Sequence, residues 1–142
     1  MRVEEIMSKD LAWCTPETRL PEVAGLMAKR DVGQIPVLDS NTRKPVGVLT
    51  DRDIAVRTVA LGKNPLELTA QDVMSSPAVT LQPDARIEDA CRALEERKFR
   101  RMPVVASDGS CCGMLSQADI ATHATERMTA EVVRTVSQPM QH

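Results

Sequence analysis

The sequence predicts an α+β fold made of two copies of one β-α-β-β-α unit. Three observations carry that expectation. Residues 7–54 recur over residues 74–120 with a single deletion, at an offset of 67 residues before the deletion and 66 after it. Each copy holds one stretch with apolar residues at helical spacing, and each holds two short apolar runs separated by a polar turn. Repeated units of this kind bury a common core by packing on their neighbours.

Each copy opens on a leader, Ile6-Met7-Ser8 or Val73-Met74-Ser75. Residues 11–15 and 78–81 then read as a short strand. Leu20, Val23, Ala24 and Met27 fall at i, i+3, i+4 and i+7, and Ile87, Ala90, Cys91 and Leu94 repeat the pattern, which gives one apolar helical face twice. Pro21 suits a first helical turn, with Thr18 or Asp84 available as a cap. Apolar runs at 35–38 and 46–49, and again at 102–105 and 112–115, form a hairpin in each copy, with residues 41–45 and 107–110 supplying the turns. A second helix opens at Thr50 or Ser116, where the hydroxyl is followed by acidic or polar residues and then by apolar ones, Ile54, Ala55 and Val59 or Ile120, Ala121 and Ala124. Gly62-Lys63-Asn64-Pro65 punctuates the chain. The expected organisation is a first repeat over 1–62, a linker over 63–70, a second repeat over 71–127 and a tail over 128–142 with a helix at 129–136.

Composition narrows the function. At 142 residues the chain fits one compact domain or two closely packed halves. With 42% hydrophobic residues but one Trp, one Phe and no Tyr, the core is aliphatic and few rings remain for base stacking. A net charge of −2 gives no general attraction to nucleic acid or to an anionic membrane. No apolar stretch approaches the roughly 20 residues of a membrane span, and the N-terminus lacks a signal pattern, so a soluble cytoplasmic protein is expected. Cys14, Cys91, Cys111 and Cys112 form no Cys-x-x-Cys pair, and His123 and His142 are the only imidazoles, which argues against a metal site. No nucleophile stands at a recognisable spacing from a base, so an enzyme is disfavoured. The Arg97, Lys98, Arg100 and Arg101 cluster invites a nucleic-acid reading, but Arg97 and Lys98 sit where cations satisfy a helix end, which is the favoured account.

The informative motif is a glycine, two apolar residues, a hydroxyl and an aspartate three places later: Gly47, Thr50 and Asp53, then Gly113, Ser116 and Asp119. Where a strand ends at the hydroxyl and a helix begins, the first-turn amides face an anion. The aspartate can accept two hydrogen bonds from a vicinal diol such as a ribose. For a single copy, simple helix capping is the better account. Recurrence in both copies, beside a matching apolar-Pro-Val strand at Ile35-Pro36-Val37 and Met102-Pro103-Val104, favours a nucleotide site.

These segments, from Ile6-Met7-Ser8 through the Ile35-Pro36-Val37 strand to Leu49-Thr50-Asp51-Arg52-Asp53-Ile54, resemble paired cystathionine β-synthase (CBS) domains, in order and twice. The likeness extends from Val3 to about His123 and is greatest to stand-alone bacterial proteins of two such domains. The resemblance implies two repeats packed through their sheets into one pseudo-twofold module with two shared clefts, and a homodimer of such modules. Carried over, one cleft uses Thr50 and Asp53 with Pro77, Ala78 and Arg101, and the other uses Ser116 and Asp119 with Asp10, Leu11 and Gln34. Since Arg100-Arg101 replaces Gly33-Gln34, the first cleft is expected to bind phosphorylated nucleotide more tightly. The implied function is a non-catalytic sensor that binds AMP, ATP, NAD or S-adenosylmethionine and signals to an effector protein. The alternative is a ligand-free interaction module of the same fold, with clefts crowded by Trp13 or Cys111-Cys112.

Overall fold

The computed structural model describes residues 1–124 and 126–127. The expected tail helix at 129–136 lies outside the described residues. Helix α1 spans Leu20–Arg30, strands β1 and β2 span Gln34–Leu38 and Pro45–Thr50, and α2 spans Asp51–Arg57. A short α3 at Ala70–Val73 leads into α4 at Ile87–Arg97, β3 at Arg101–Val105 and β4 at Cys111–Ser116. Residues 117–124 form α5. Short 3-10 turns occur at Val3–Glu5, Val59–Leu61 and Pro65–Glu67.

The hairpins form where two apolar runs flank a carboxylate-organised turn. Strand β1 pairs antiparallel with β2, Gln34 opposite Thr50, and β3 pairs with β4, Arg101 opposite Ser116. In the first turn the Asp39 carboxylate accepts from the amides of Asn41 and Thr42, and in the second Asp108 accepts from the amide and hydroxyl of Ser110. The strand expected ahead of each first helix contracts to a single parallel bridge, Cys14 with Val37 and Leu81 with Val104. The pre-helix segment and its own hairpin are thereby tied, and among the described residues no ladder extends beyond that residue.

Helices α1 and α4 bury Leu20, Val23 and Met27, and Ala90 and Leu94. Ala24 is exposed, and Leu26 packs on the core instead. Neither Thr18 nor Asp84 caps; the N-caps are Arg19 and Arg86, without side-chain capping bonds. Backbone carbonyls take the first-turn amides: Leu20 N donates to Leu68 O at 3.0 Å, and Ile87 N to Met1 O at 3.1 Å. Both helices end on a non-glycine residue in the left-handed region, Asp31 at φ 53° and Lys98 at φ 58°. Helix α2 ends sooner than expected, because Thr58 turns the chain and its hydroxyl donates to Ile54 O. Val59 is consequently 70% exposed, and Ala55, Ala121 and Ala124 also face outward.

The two halves exchange their leaders. Val3, Ile6 and Met7 pack with Leu81, Ala90, Leu94, Met102, Val104 and Leu115 of the second copy. Ala70, Val73 and Met74 pack with Leu20, Val23, Ile35 and Leu49 of the first. Each leader also pairs with the opposite hairpin: Ser8 with Met114 in two bonds of 2.8 and 2.9 Å, and Ser75 with Val48 in two bonds of 2.9 Å. Gly113 and Gly47 permit that approach. A Cβ on Gly47 would lie 2.7 Å from Ser75 O, and one on Gly113 would lie 2.6 Å from Met7 Sδ. The hairpins meet directly at both ends, where Gln34 Nε2 donates to Arg101 O at 3.4 Å and Cys111 N to Arg43 O at 3.0 Å.

Candidate functional site

Among the described residues, one cavity between the halves holds the Thr50/Asp53 pair and another the Ser116/Asp119 pair. The first, of about 160 Å³, is lined by Thr50, Asp53, Pro77 and Arg101, together with Gln34, Val48, Ser75, Val79, Phe99 and Pro103. The second, of about 220 Å³, is lined by Asp10, Leu11, Gln34, Ser116 and Asp119, and also by Arg30 and Arg101. Ala78 does not line the first cavity. The wall passes from Pro77 to Val79.

In each half the hydroxyl and the aspartate form a reciprocal cap. Thr50 Oγ1 accepts from Asp53 N at 2.9 Å, and Asp53 Oδ2 accepts from Thr50 N at 3.1 Å. The Ser116 and Asp119 pair matches at 3.0 and 3.0 Å. Capping and ligand binding are therefore compatible, since each carboxylate uses Oδ2 for the cap and keeps Oδ1 for another donor. Asp53 Oδ1 stands 3.9 Å from Arg57 Nη2, while Arg57 Nη1 holds the carbonyls of Val73 and Met74 at 2.9 Å each. The Ser75 hydroxyl reaches Asp53 Oδ2 at 3.5 Å, so this carboxylate is coupled to the exchanged leader.

The expectation that first-turn amides of the second helices receive an anion fails for α2. Asp51 N donates to Gly33 O, Arg52 N to Asp51 Oδ1 and Asp53 N to Thr50 Oγ1. With these three donors committed, an anion there must be held by side chains. Arg30, which the sequence did not single out, supplies a cation to the second cavity and pairs with Asp10 Oδ2 at 3.0 Å. Arg101 lines both cavities, so the contrast drawn between an arginine cleft and a glutamine cleft is reduced. Phe99, the chain's single phenylalanine, was also missed. It lines the first cavity, whereas its counterpart Val32 lines the second.

Trp13 crowds neither cavity; it stacks beneath the Arg43 guanidinium, 4.5 Å from the ring centroid. Cys111 and Cys112 lie outside both cavities, and burial pushes both thiols up. Among the described residues, no three His, Cys, Asp or Glu gather as metal ligands, and no helix is long and apolar enough to cross a membrane.

The comparisons with known proteins agree with this architecture. The CBS domain family model matches residues 3–58 and 70–126. CBS domain-containing protein YhcV of Bacillus subtilis is 33% identical over 128 residues, covering 90% of this chain and 89% of its own length. Uncharacterized protein MK0525 of Methanopyrus kandleri is 30% identical over 118 residues, covering 83% of this chain, which spans 60% of MK0525. Among solved structures, CBSX2 in complex with AMP is 29% identical, with a TM-score of 0.78, covering 89% of this chain and 98% of that one; CBSX2 is from Arabidopsis thaliana. Since both copies are matched over the segments that build the exchanged leaders, hairpins and clefts, the chain belongs to the CBS domain family and carries two such domains.

Proposed function

We propose that the protein is a non-catalytic regulatory module that takes an adenosine-containing ligand, such as AMP, ATP, NAD or S-adenosylmethionine, into its inter-repeat clefts. The observation that carries this reading is the recurrence, in two cavities, of a capped aspartate with one carboxylate oxygen left for a diol. The similar protein CBSX2 crystallised with AMP supports the adenosine class. Thr50, Asp53, Pro77, Phe99 and Arg101 receive ligand in one cleft, and Ser116, Asp119, Asp10, Leu11, Gln34 and Arg30 in the other. The repeats are residues 1–62 and 71–127.

Every cleft is lined by both halves, so a ligand that fits one spacing of the halves better than another shifts the balance between them. That shift is the signal passed to an effector protein. Two modules associate as a cytoplasmic homodimer, and exposed Val59, Leu61 and Leu66 are apolar side chains available to such contacts.

Calorimetric titration of nucleotide-free protein with AMP, ATP, NAD and S-adenosylmethionine, with guanosine as control, tests the reading. Saturable binding of an adenosine compound, reduced in steps by Asp53→Ala and Asp119→Ala, is expected. Silence across the panel from folded protein transfers the assignment to a ligand-free interaction module. Sedimentation of the same sample reports the dimer.

A further inference from the structure

The first cavity opens onto a groove of about 500 Å³ lined by Gly33, Gln34, Thr50, Asp51, Arg52, Lys98, Phe99, Arg100 and Arg101. Gln34, Thr50, Phe99 and Arg101 line both spaces, so the groove continues the cleft outward. Four cations face one carboxylate there. Among the described residues the side chains of Arg52, Lys98, Arg100 and Arg101 make no ion pair, as is true of most cations of this chain.

The segment carrying three of these cations is held in place by its backbone. Gln117 takes Phe99 O through its side chain at 3.2 Å and Arg100 O through its amide at 2.9 Å, while Gln34 takes Arg101 O. Lys98 closes α4 in the left-handed conformation, which turns the chain immediately before Phe99. The guanidinium and ammonium groups are thus displayed from a fixed support without being used by the fold.

The other half carries less of this charge. At the repeat-related positions Lys98 becomes Asp31, Arg100 becomes Gly33, Arg101 becomes Gln34, Arg52 becomes Ala118 and Asp51 becomes Gln117. Gly33 and Gln34 of the groove correspond in turn to Arg100 and Arg101, so four cations and one carboxylate are matched by two cations and one carboxylate. The charge is greater on the side of the Thr50/Asp53 cleft, while Arg30 and Arg101 line the other cavity.

Resting on the nucleotide reading above, we infer that the Thr50/Asp53 cleft is built for an adenosine carrying two or three phosphates, with the terminal phosphates in the Arg52, Lys98 and Arg100 groove. The Ser116/Asp119 cleft takes an adenosine compound without that extension. Because the α2 amides are committed, selectivity for phosphate number comes from these side chains, and it weakens with salt.

The test uses Asp119→Ala protein, so that the first cleft is read alone, titrated with AMP, ATP and inorganic tripolyphosphate at low and high salt. ATP is expected to bind about tenfold more tightly than AMP, since several exposed charge contacts of a few-fold each combine. Replacing Lys98→Asn together with Arg100→Gln, both exposed and with asparagine tolerant of the left-handed backbone, should weaken ATP more than AMP and bring the two to within threefold. AMP binding with no preference for ATP overturns this inference and leaves the nucleotide reading standing. Silence toward AMP, ATP and tripolyphosphate together also overturns this inference, and the nucleotide reading falls with it when the unsubstituted protein is silent toward NAD and S-adenosylmethionine as well.

Discussion

Replacing Gly47 or Gly113 by alanine tests the close approach between each leader and the opposite hairpin. At Gly47 the new methyl would sit 2.7 Å from Ser75 O and 2.9 Å from Met74 Sδ. The carbonyl cannot retreat freely, because it accepts from Val48 N while Ser75 N donates to Val48 O. Separating the pair forfeits two backbone bonds, worth about 1 kcal/mol each, and adds about 1 kcal/mol of overpacking. The alanine returns somewhat under 1 kcal/mol through reduced backbone freedom in the unfolded chain. A net loss of about 2 to 3 kcal/mol is expected. At Gly113 the nearest atom is Met7 Sδ at 2.6 Å, the end of a flexible side chain, and Ser8 O lies at 3.0 Å. Rotation of the thioether relieves most of that clash, so about 1 kcal/mol is expected. Urea unfolding of both variants gives the order. Since Ser75 and Pro77 line the first cavity, Gly47→Ala should also weaken ligand at Asp53 and spare the cleft at Asp119. A Gly113→Ala loss equal to or larger than that of Gly47→Ala would refute the steric argument.

Three further outcomes are expected. Thr50→Ala removes the acceptor for Asp53 N and should cost about 1 kcal/mol, while Thr50→Ser stays near wild type; equal losses in urea melts would show that the cap is not responsible. Val3→Ala should cost about 2 kcal/mol and raise amide exchange in β3 and β4 ahead of β1, since Val3 is fully buried in the second core; faster exchange in β1 would contradict the exchanged leaders. Burial, with Glu22's charge second, pushes the Cys14 thiol from 9.0 up to about 12, so the folded state keeps a proton that the unfolded chain releases. The stability present below pH 9 should fall by up to about 4 kcal/mol between pH 9 and 12, and Cys14→Ala should flatten that stretch; identical slopes would exclude the thiol.

The parts of the molecule legible in the sequence are those fixed by local periodicity. Both hairpins and both long helices follow from apolar spacing, and the Thr50/Asp53 and Ser116/Asp119 caps follow from residues three apart. Features that depend on distant segments were not legible. Helices α1 and α4 start on backbone carbonyls supplied from Leu68 and Met1, which no local capping pattern reveals. The leaders look like the beginnings of their own repeats, yet Val3 and Ala70 are core residues of the opposite ones. Arg30 enters the second cavity only because α1 ends over Asp10, a placement decided by packing. Phe99 offered a signal, the chain's single phenylalanine set among cations, but its meaning depends on which cavity it lines.

The exchange of leaders and the sharing of Gln34 and Arg101 together make the clefts interdependent. Ser75 belongs to the second repeat's leader, pairs with β2 of the first and reaches Asp53, so the wall of one cleft is fastened to the core of the first half. Gln34 and Arg101 sit where the two hairpins meet, and each lines both cavities. An arginine has one charge to place. On the proposed reading, a phosphate that draws Arg101 into one cavity withdraws it from the other, and linkage makes the penalty equal in both directions. On the same reading the cations beyond Arg101, three on the Thr50/Asp53 side against Arg30 on the other, then decide which cleft holds it: a ligand long enough to engage Lys98 and Arg100 prevails over one that reaches Arg101 only. Selectivity for phosphate number in one cleft thereby becomes control over occupancy of the other.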